Sequence, residues 1–329
     1  MRILVTGGAG FIGSHFVRTL LAPGGGGPHV TVLDALTYAG NRANLRTVED
    51  DPRFSFVHGD IRDRPLVDSL LAAHDAVVHF AAESHVDRSI EGGTEFATTN
   101  VVGTQVLLES AVRHRIARFV HVSTDEVYGS IPEGSWTEDE PLAPNSPYSA
   151  SKAGSDLLAL AHHRTHGLDV SVTRCSNNYG PHQHPEKVIP LFTTRLLAGE
   201  RVPLYGDGLN VRDWLHVDDH CRALRLVLEG GRPGQVYNIG GGTELSNKEL
   251  TERLIAACGA DRDRVEHVTD RKGHDRRYSV DWTKIRTELG YTPRHSFEDG
   301  LAETVAWYRD HPDWWAPTAP TAAPGGAAR

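Results

Sequence analysis

Tyr148 and Lys152 stand four apart in Tyr148-Ser-Ala-Ser-Lys152. On a helix that spacing sets both side chains on one face, with the ammonium near the phenol oxygen. A free phenol, with a pKa of about 10, is a poor base at neutral pH. A neighbouring cation stabilises the phenolate and brings it towards the range of a base that takes a proton from a substrate hydroxyl. Upstream, Asp125 and Glu126 follow Thr124 directly. Adjacent carboxylates push one pKa upward, which suits an acid beside a base. Neighbours in an extended segment point to opposite faces, so the chain must turn after Thr124 for both carboxylates to flank one substrate. Taken singly, the tyrosine and lysine also fit a chance helical pair, and the carboxylates an acidic loop.

The elements around these residues favour chemistry. Residues 1 to 13 read as a short apolar strand running into Gly7, Gly10 and Gly13, and a helical pattern starts at Ser14. Strand, glycine turn and helix match a dinucleotide-binding fingerprint, in which bare backbone approaches the pyrophosphate and the helix N-terminus faces its charge. The Gly-x-x-Gly-x-x-Gly spacing departs from the commoner Gly-x-Gly-x-x-Gly. A bound nicotinamide would add a second positive charge beside Tyr148. A second strand, His29 to Leu33, ends at Asp34, which is placed to bond the adenosine ribose and to repel the extra phosphate of NADP, so NAD is expected. Asp60 and Ile61, after the apolar run Phe54 to Val57, either border the adenine or begin a helix with an aspartate cap. Further strands, 76–80 and 119–123, run into Ala81-Ala82-Glu83-Ser84-His85 and into Thr124-Asp125-Glu126, where an open parallel sheet builds its ligand crevice.

These residues carry a resemblance. The chain is similar to the dTDP-glucose 4,6-dehydratases of the extended short-chain dehydrogenase/reductase superfamily, over about residues 1 to 315. The glycine turn and Tyr148-x-x-x-Lys152 are general to that superfamily. The specific marks are Ala82-Glu-Ser-His-Val-Asp87, Ser123-Thr-Asp-Glu-Val-Tyr-Gly129, Asn145-Ser-Pro-Tyr-Ser-Ala-Ser-Lys152, Arg174-Cys-Ser-Asn-Asn-Tyr-Gly180 and Arg271-Lys-Gly-His-Asp-Arg-Arg-Tyr278. Many epimerases of the superfamily have a serine-rich segment in place of Asp125-Glu126. The resemblance implies removal of water from the sugar without net redox change. In that reaction Tyr148 deprotonates the C4 hydroxyl as NAD takes the hydride, Glu126 removes the C5 proton, and protonated Asp125 releases the C6 hydroxyl before the hydride returns to C6. Thr124 is expected to hold the C4 oxygen.

The same resemblance extends the cofactor contacts to Phe11, Ile12, Ala35, Leu36, Thr37, Phe80, Ala81, Ala82, Ser84, Thr99 and Asn178. Asn177, Ser84 and His85 are expected to touch the sugar, although Asn177-Asn178 read without the resemblance is simply a turn. Arg212, Arg271 and Asn247 match nucleotide-side positions, and arginine grips a phosphate with parallel hydrogen bonds. Lys187, Val188, Pro203 and Tyr205 match others, and His274 and Tyr278 complete that pocket. Lys272 stands where the family often has proline.

Across 329 residues, 39% are hydrophobic and 23% charged, with a formal charge of -9. That is the balance of an ordinary enzyme, with no basic stripe for nucleic acid. The absence of an apolar run near eighteen residues argues against a membrane span and points to the cytoplasm. Three cysteines, at 175, 221 and 258, lack zinc-type spacing, and no metal is expected. The nineteen histidines are mostly surface or packing residues, with His162 and His163 on a surface helix. Alternating strands and helices predict an α/β chain with a doubly wound parallel Rossmann sheet and a smaller α/β substrate-binding lobe. The cofactor domain is expected at 1–174 and 213–240, the nucleotide-sugar lobe at 175–212 and 241–315, and a disordered tail at 316–329. Ser246 with Glu249 reads as a capped helix start. Apolar positions at 101–112 and 153–160 suit a homodimer joined by a four-helix bundle, the family's usual assembly, or burial within one subunit. The competing readings are a 4-epimerase or decarboxylase on the same fold, which has no task for Asp125 and Glu126, and a non-catalytic NAD-binding protein.

Overall fold

The computed structural model describes residues 1–22 and 27–316. Most of the glycine-rich loop after the first helix, and the expected tail from 317 on, lie outside them. The strands, in chain order, are β1 (Arg2–Thr6), β2 (His29–Asp34), β3 (Phe54–His58), β4 (Ala76–His79), β5 (Arg118–Thr124), β6 (Val170–Cys175), β7 (Asn177–Tyr179), β8 (Val202–Tyr205), β9 (Val211–His216), β10 (Val236–Ile239), β11 (Glu244–Ser246) and β12 (Val265–Val268). Seven form a parallel sheet in the order β10-β6-β5-β4-β1-β2-β3. The apolar run at 54–57 is therefore the sheet's edge strand.

Strands buried on both faces read as near-continuous Val, Ile and Leu, and β1, β4 and β5 do so because helices cover each side. On one face Phe16 and Val17 of the Phe11–Leu20 helix meet Val217, Cys221, Leu224 and Val227 of the Val217–Gly230 helix. On the other, Val67, Leu71, Leu107, Leu108 and Ala159 close the second layer. Burying each such side chain is worth about 1.5–3 kcal/mol. The strand order reverses direction between β1 and β4, and the crevice outside the carboxyl ends of those two strands is where an open α/β sheet takes its ligand.

The smaller lobe has its own core around Ile189, Phe192, Leu250, Leu254, Phe297 and Leu301. It is built on a three-stranded sheet, β11-β9-β7, and a β12-β8 pair. One expectation changes here. Residues 213–216 belong to β9, which pairs with β7 and β11, so the chain rejoins the large sheet's helical layer at Val217 and not at Asp213. A strand as short as Asp213-Trp-Leu-His216 suits either sheet, and the pairing partners decided it. His162 also departs from its expected surface position, being 8% exposed with its ring against the Leu158 carbonyl.

Candidate active site

The cofactor wall is made of backbone. Gly7 takes φ +68, and a Cβ there would lie 2.6 Å from the Ala81 nitrogen; at Gly13 it would lie 2.3 Å from the Gly7 carbonyl. Only glycine permits both the left-handed turn and the close approach. Gly10 stands at the start of the Phe11–Leu20 helix, whose first N–H groups face the cleft unpaired by any side-chain cap. Asp34 accepts Ala9 N and Leu36 N, both at 2.8 Å, and lines the same cleft. Burial pushes its carboxyl upward against those two donors. These features, an anion cradle and an acid at the end of β2, fit a dinucleotide.

Phe11, Ile12, Ala35, Thr37, Asp60, Ile61, Phe80, Ala81, Ala82, Ser84, Thr99 and Asn178 all line this cleft. Leu36 does not. Its backbone adopts φ 50 and its side chain packs on the core, so the cleft sees its neighbours instead. Asp60 caps no helix. It accepts Arg62, while Asp63 caps the Arg64–Leu71 helix by accepting Leu66 N.

The catalytic candidates converge from two elements. Ser146 and Ser149 form a capping box and Pro147 is the first helical residue, so Tyr148 lies in the first turn of the Pro147–His166 helix with Lys152 four residues on, on the same face. β5 ends at Thr124, whose hydroxyl caps a 3₁₀ turn over Asp125–Tyr128 by accepting Glu126 N at 3.3 Å. This is the turn that the adjacent carboxylates required. Gly129, at φ 80, ends it. Thr124, Asp125, Glu126, Tyr148 and Lys152 consequently line one cleft with Asn177 and Lys187.

The electrostatics divide the two carboxyls. Asp125 is 2% exposed, and burial, Glu126 and Asp213 hold its carboxyl well above the usual range. Glu126 is also raised by burial, but Arg271, Lys187 and Arg212 pull it back down. Of the two, Asp125 is held further above its ordinary value. A chain with net charge of -9 thus gathers three cations where an anion is needed.

Lys152 and Tyr148 do not interact as expected. The ammonium donates to the Val122 carbonyl at 2.8 Å, whereas the phenol hydrogen-bonds Thr124. The expected lowering of Tyr148 is reversed by the chain's own groups. Burial, and then Glu126, hold the phenol well above its ordinary value. Removing water from a phenolate costs more than a lysine engaged elsewhere returns.

The nucleotide-side residues gather beyond this cleft wall. The Arg212 guanidinium lies 4.2 Å from the Tyr278 ring centroid and donates to the Asp275 carbonyl at 2.9 Å. Arg271 reaches Asp87 at 3.4 Å, and Tyr205 meets the His274 ring edge-on at 6.4 Å. Asn247 joins through Asn210, which accepts Asn247 N and donates to Asp275. Pro203 lies on β8, and Val188 opens the helix after Lys187. His85, pushed down to about 4 by burial and Lys187, is neutral; it caps the Val86–Glu91 helix with Nε2 3.8 Å from Glu186.

Several contributors escaped sequence reasoning. Asn100, 1% exposed within a π-type turn over Ala97–Gly103, exchanges hydrogen bonds with Glu83 N and O and donates to Ser151, tying the loop after β4 to the catalytic helix. No local pattern marks it. Glu186, beside Lys187, and Ser176 also line the cleft.

The comparisons agree with this geometry. A family model described as GDP-mannose 4,6 dehydratase matches residues 4–304. A dTDP-glucose 4,6-dehydratase of Streptomyces niveus is 64% identical over 336 residues, covering 100% of both chains. A crystal structure of DesIV, a dTDP-glucose 4,6-dehydratase from Streptomyces venezuelae with NAD bound, superposes with a TM-score of 0.95 at 65% identity, covering 97% of this chain and 100% of that one. UDP-glucose 4-epimerase of Thermotoga maritima, solved with UDP-glucose, shares the fold at a TM-score of 0.87 and 36% identity, covering 94% and 99%. The fold is common to both activities, but identity nearly doubles towards the dehydratases, and the chain belongs to the dTDP-glucose 4,6-dehydratase family.

Proposed function

We propose that this chain is an NAD-dependent hydro-lyase that converts dTDP-glucose to dTDP-4-keto-6-deoxyglucose. The observation that carries the reading is the pair of adjacent carboxyls, Asp125 and Glu126, turned into one cleft with Tyr148, both raised by burial but Asp125 further, since Arg271, Lys187 and Arg212 oppose the rise only at Glu126 to any large extent. A 4-epimerase has no use for that pair.

NAD, when bound, supplies a hydride acceptor and donor and a positive ring charge that favours the Tyr148 phenolate. The backbone at Gly7, Gly10 and Gly13 holds its pyrophosphate, and Asp34 holds the ribose. Tyr148 takes the C4 hydroxyl proton while Thr124 keeps the oxygen in place. The ketone at C4 acidifies C5, and Glu126 removes that proton. Asp125 gives its proton to the C6 hydroxyl, which leaves as water. With a hydride returned to C6 and a proton to C5, the sugar loses one water overall and ends with no net change of redox state. Arg212, Arg271 and Lys187 hold the diphosphate, and Asn177 orients the sugar. The cofactor half comprises 1–174 and 217–240 and the substrate half 175–216 and 241–315.

Mass spectrometry of dTDP-glucose incubated with the protein and NAD in deuterated water tests the reading. Loss of one water with one solvent deuteron at C5 is expected. An unchanged formula with inverted C4 would overturn it in favour of an epimerase.

The family's dimer also suits the surface. Val102 and Leu157 are 52% and 59% exposed on segments that face outwards, whereas Val106, Leu107, Ala153 and Ala159 are buried within the subunit. A homodimer through these helices covers the exposed pair, and Leu157→Asp is expected to yield monomers in sedimentation equilibrium. Three free thiols, Cys175, Cys221 and Cys258, suit a reducing cytoplasm.

A further inference from the structure

We propose that Arg174 and Tyr128 are positioning residues that lock the turn carrying Asp125 and Glu126 to the helix carrying Tyr148 and Lys152, so that oxidation at C4 and elimination across C5 and C6 address one sugar position. The inference rests on the dehydratase reading. Neither residue lines the cleft, and the reaction as derived above gives neither a task.

The strut is continuous and buried. Asp156, one turn beyond Lys152 on the catalytic helix, accepts Arg174 Nε at 2.9 Å. Arg174, on β6, donates Nη1–H to the Tyr128 hydroxyl at 2.7 Å, and its guanidinium lies 4.7 Å from the Tyr128 ring centroid. Tyr128 in turn donates to Asn238 Oδ1 on β10 at 2.9 Å. Asn238 is held by Glu138 at its backbone N–H and donates to the Trp136 carbonyl. Asp156, Arg174, Tyr128 and Asn238 are each 3% exposed or less.

Packing alone does not call for this arrangement. A buried ion pair with a tyrosine hydroxyl is costly to desolvate, and apolar residues of similar volume often serve stability as well. What the strut provides is a fixed direction. Tyr128 closes the four-residue turn that Asp125 opens, so a shift of the ring moves both carboxyls. Arg174 reaches two elements at once because its planar fork presents donors on separate nitrogens. A misplacement of about 1 Å can cost on the order of 100-fold in rate. The strut therefore acts on the elimination half of the reaction, whereas Tyr148 is set by the helix cap at Ser146 and is less dependent on it.

The test compares partial reactions of the NAD-loaded enzyme with dTDP-glucose in deuterated water. Tyr128→Phe keeps the ring and removes both hydroxyl bonds. C5 exchange and water loss are expected to fall about 10- to 100-fold while formation of reduced nicotinamide stays within roughly threefold of the parent. Ser171→Ala is the matched control. Ser171 is fully buried at the other end of β6 and accepts Arg118 Nη2 at 2.9 Å, so its loss lowers stability without touching the turn. Equal loss of both half reactions in Tyr128→Phe, loss of neither, or the same split in Ser171→Ala would overturn the proposal. Should Tyr128→Phe fail to fold, Arg174→Lys is read in the same way, since it keeps the charge beside Asp156 but has a single donor atom. Failure of the dehydratase reading itself is distinct, because it shows in the parent enzyme as no loss of water from dTDP-glucose.

Discussion

The two walls of the cleft are made of different material. The pyrophosphate end of the cofactor wall is backbone: Gly7, Gly10, Gly13 and the start of one helix, beside the Asp34 carboxylate anchored by Ala9 N and Leu36 N. The sugar and nucleotide wall is side chains drawn from separate elements: Glu126 from the end of β5, Tyr148 from a helix, Arg212 from β9, and Lys187 and Arg271 from loops. A backbone site is fixed by a short run of residues and tolerates little beyond glycine. A side-chain site depends on register and burial across the molecule, and each member can be changed singly with a graded result.

The largest effect expected from that contrast is at the side-chain wall. Glu126→Gln should lower turnover by about 10²- to 10⁴-fold, the usual contribution of a positioned general base. It should stop solvent exchange at C5 and still let reduced nicotinamide form, measured by absorbance. Loss of the initial oxidation as well would erase the division of labour between Tyr148 and Glu126. Next comes the backbone wall. Gly13→Ala puts a Cβ 2.3 Å from the Gly7 carbonyl, with no flexible neighbour to yield. Overpacking of this kind costs about 1–3 kcal/mol, which corresponds to roughly 10- to 100-fold weaker NAD retention in a dialysis or calorimetric assay. Gly92→Ala, where nothing lies within 4 Å, should leave retention unchanged. Equal sensitivity at the two glycines would remove the case for a backbone cradle.

Arg212→Met should raise KM for dTDP-glucose about tenfold or more, the worth of a charge-assisted hydrogen bond, with a smaller change in kcat. A fall confined to kcat would move Arg212 from nucleotide binding to the reacting sugar. The smallest effect is on stability. Asp125 has a carboxyl raised above its ordinary value in the folded protein, so it binds more protons folded than unfolded. Its contribution is present in full below the unfolded pKa of about 3.9 and is lost as pH rises towards the folded value. Asp125→Asn should therefore raise Tm at neutral pH by about 2–4 °C, as roughly 1 kcal/mol does in a chain somewhat smaller than this one. The gain should shrink as pH falls, in parallel thermal melts. A gain independent of pH would mean that packing, not protonation, separates the two.

The same contrast explains what could be read in advance. The glycine turn, the Tyr148-Lys152 spacing and the Ser246-Glu249 cap are local, since each depends on residues within a turn or two of one another. Leu36 stands apart from Ala35 and Thr37, which line the cleft, because its left-handed backbone accompanies a side chain packed on the core, a placement no local pattern displays. Asn100 carried no signal because its partners, Glu83 and Ser151, are distant in sequence.

By itself, then, the order of residues determined the parallel sheet, the cofactor turn and which acids, bases and cations the protein owns. Period, propensity and backbone freedom act over a few residues, and those are properties a sequence displays directly. Only the tertiary structure decided that β9 joins the small sheet, that Lys152 turns to the Val122 carbonyl, and that the Asp125 carboxyl is raised further than that of Glu126. Each of those outcomes turns on burial and on charges contributed by remote segments, which exist only once the chain has closed around them.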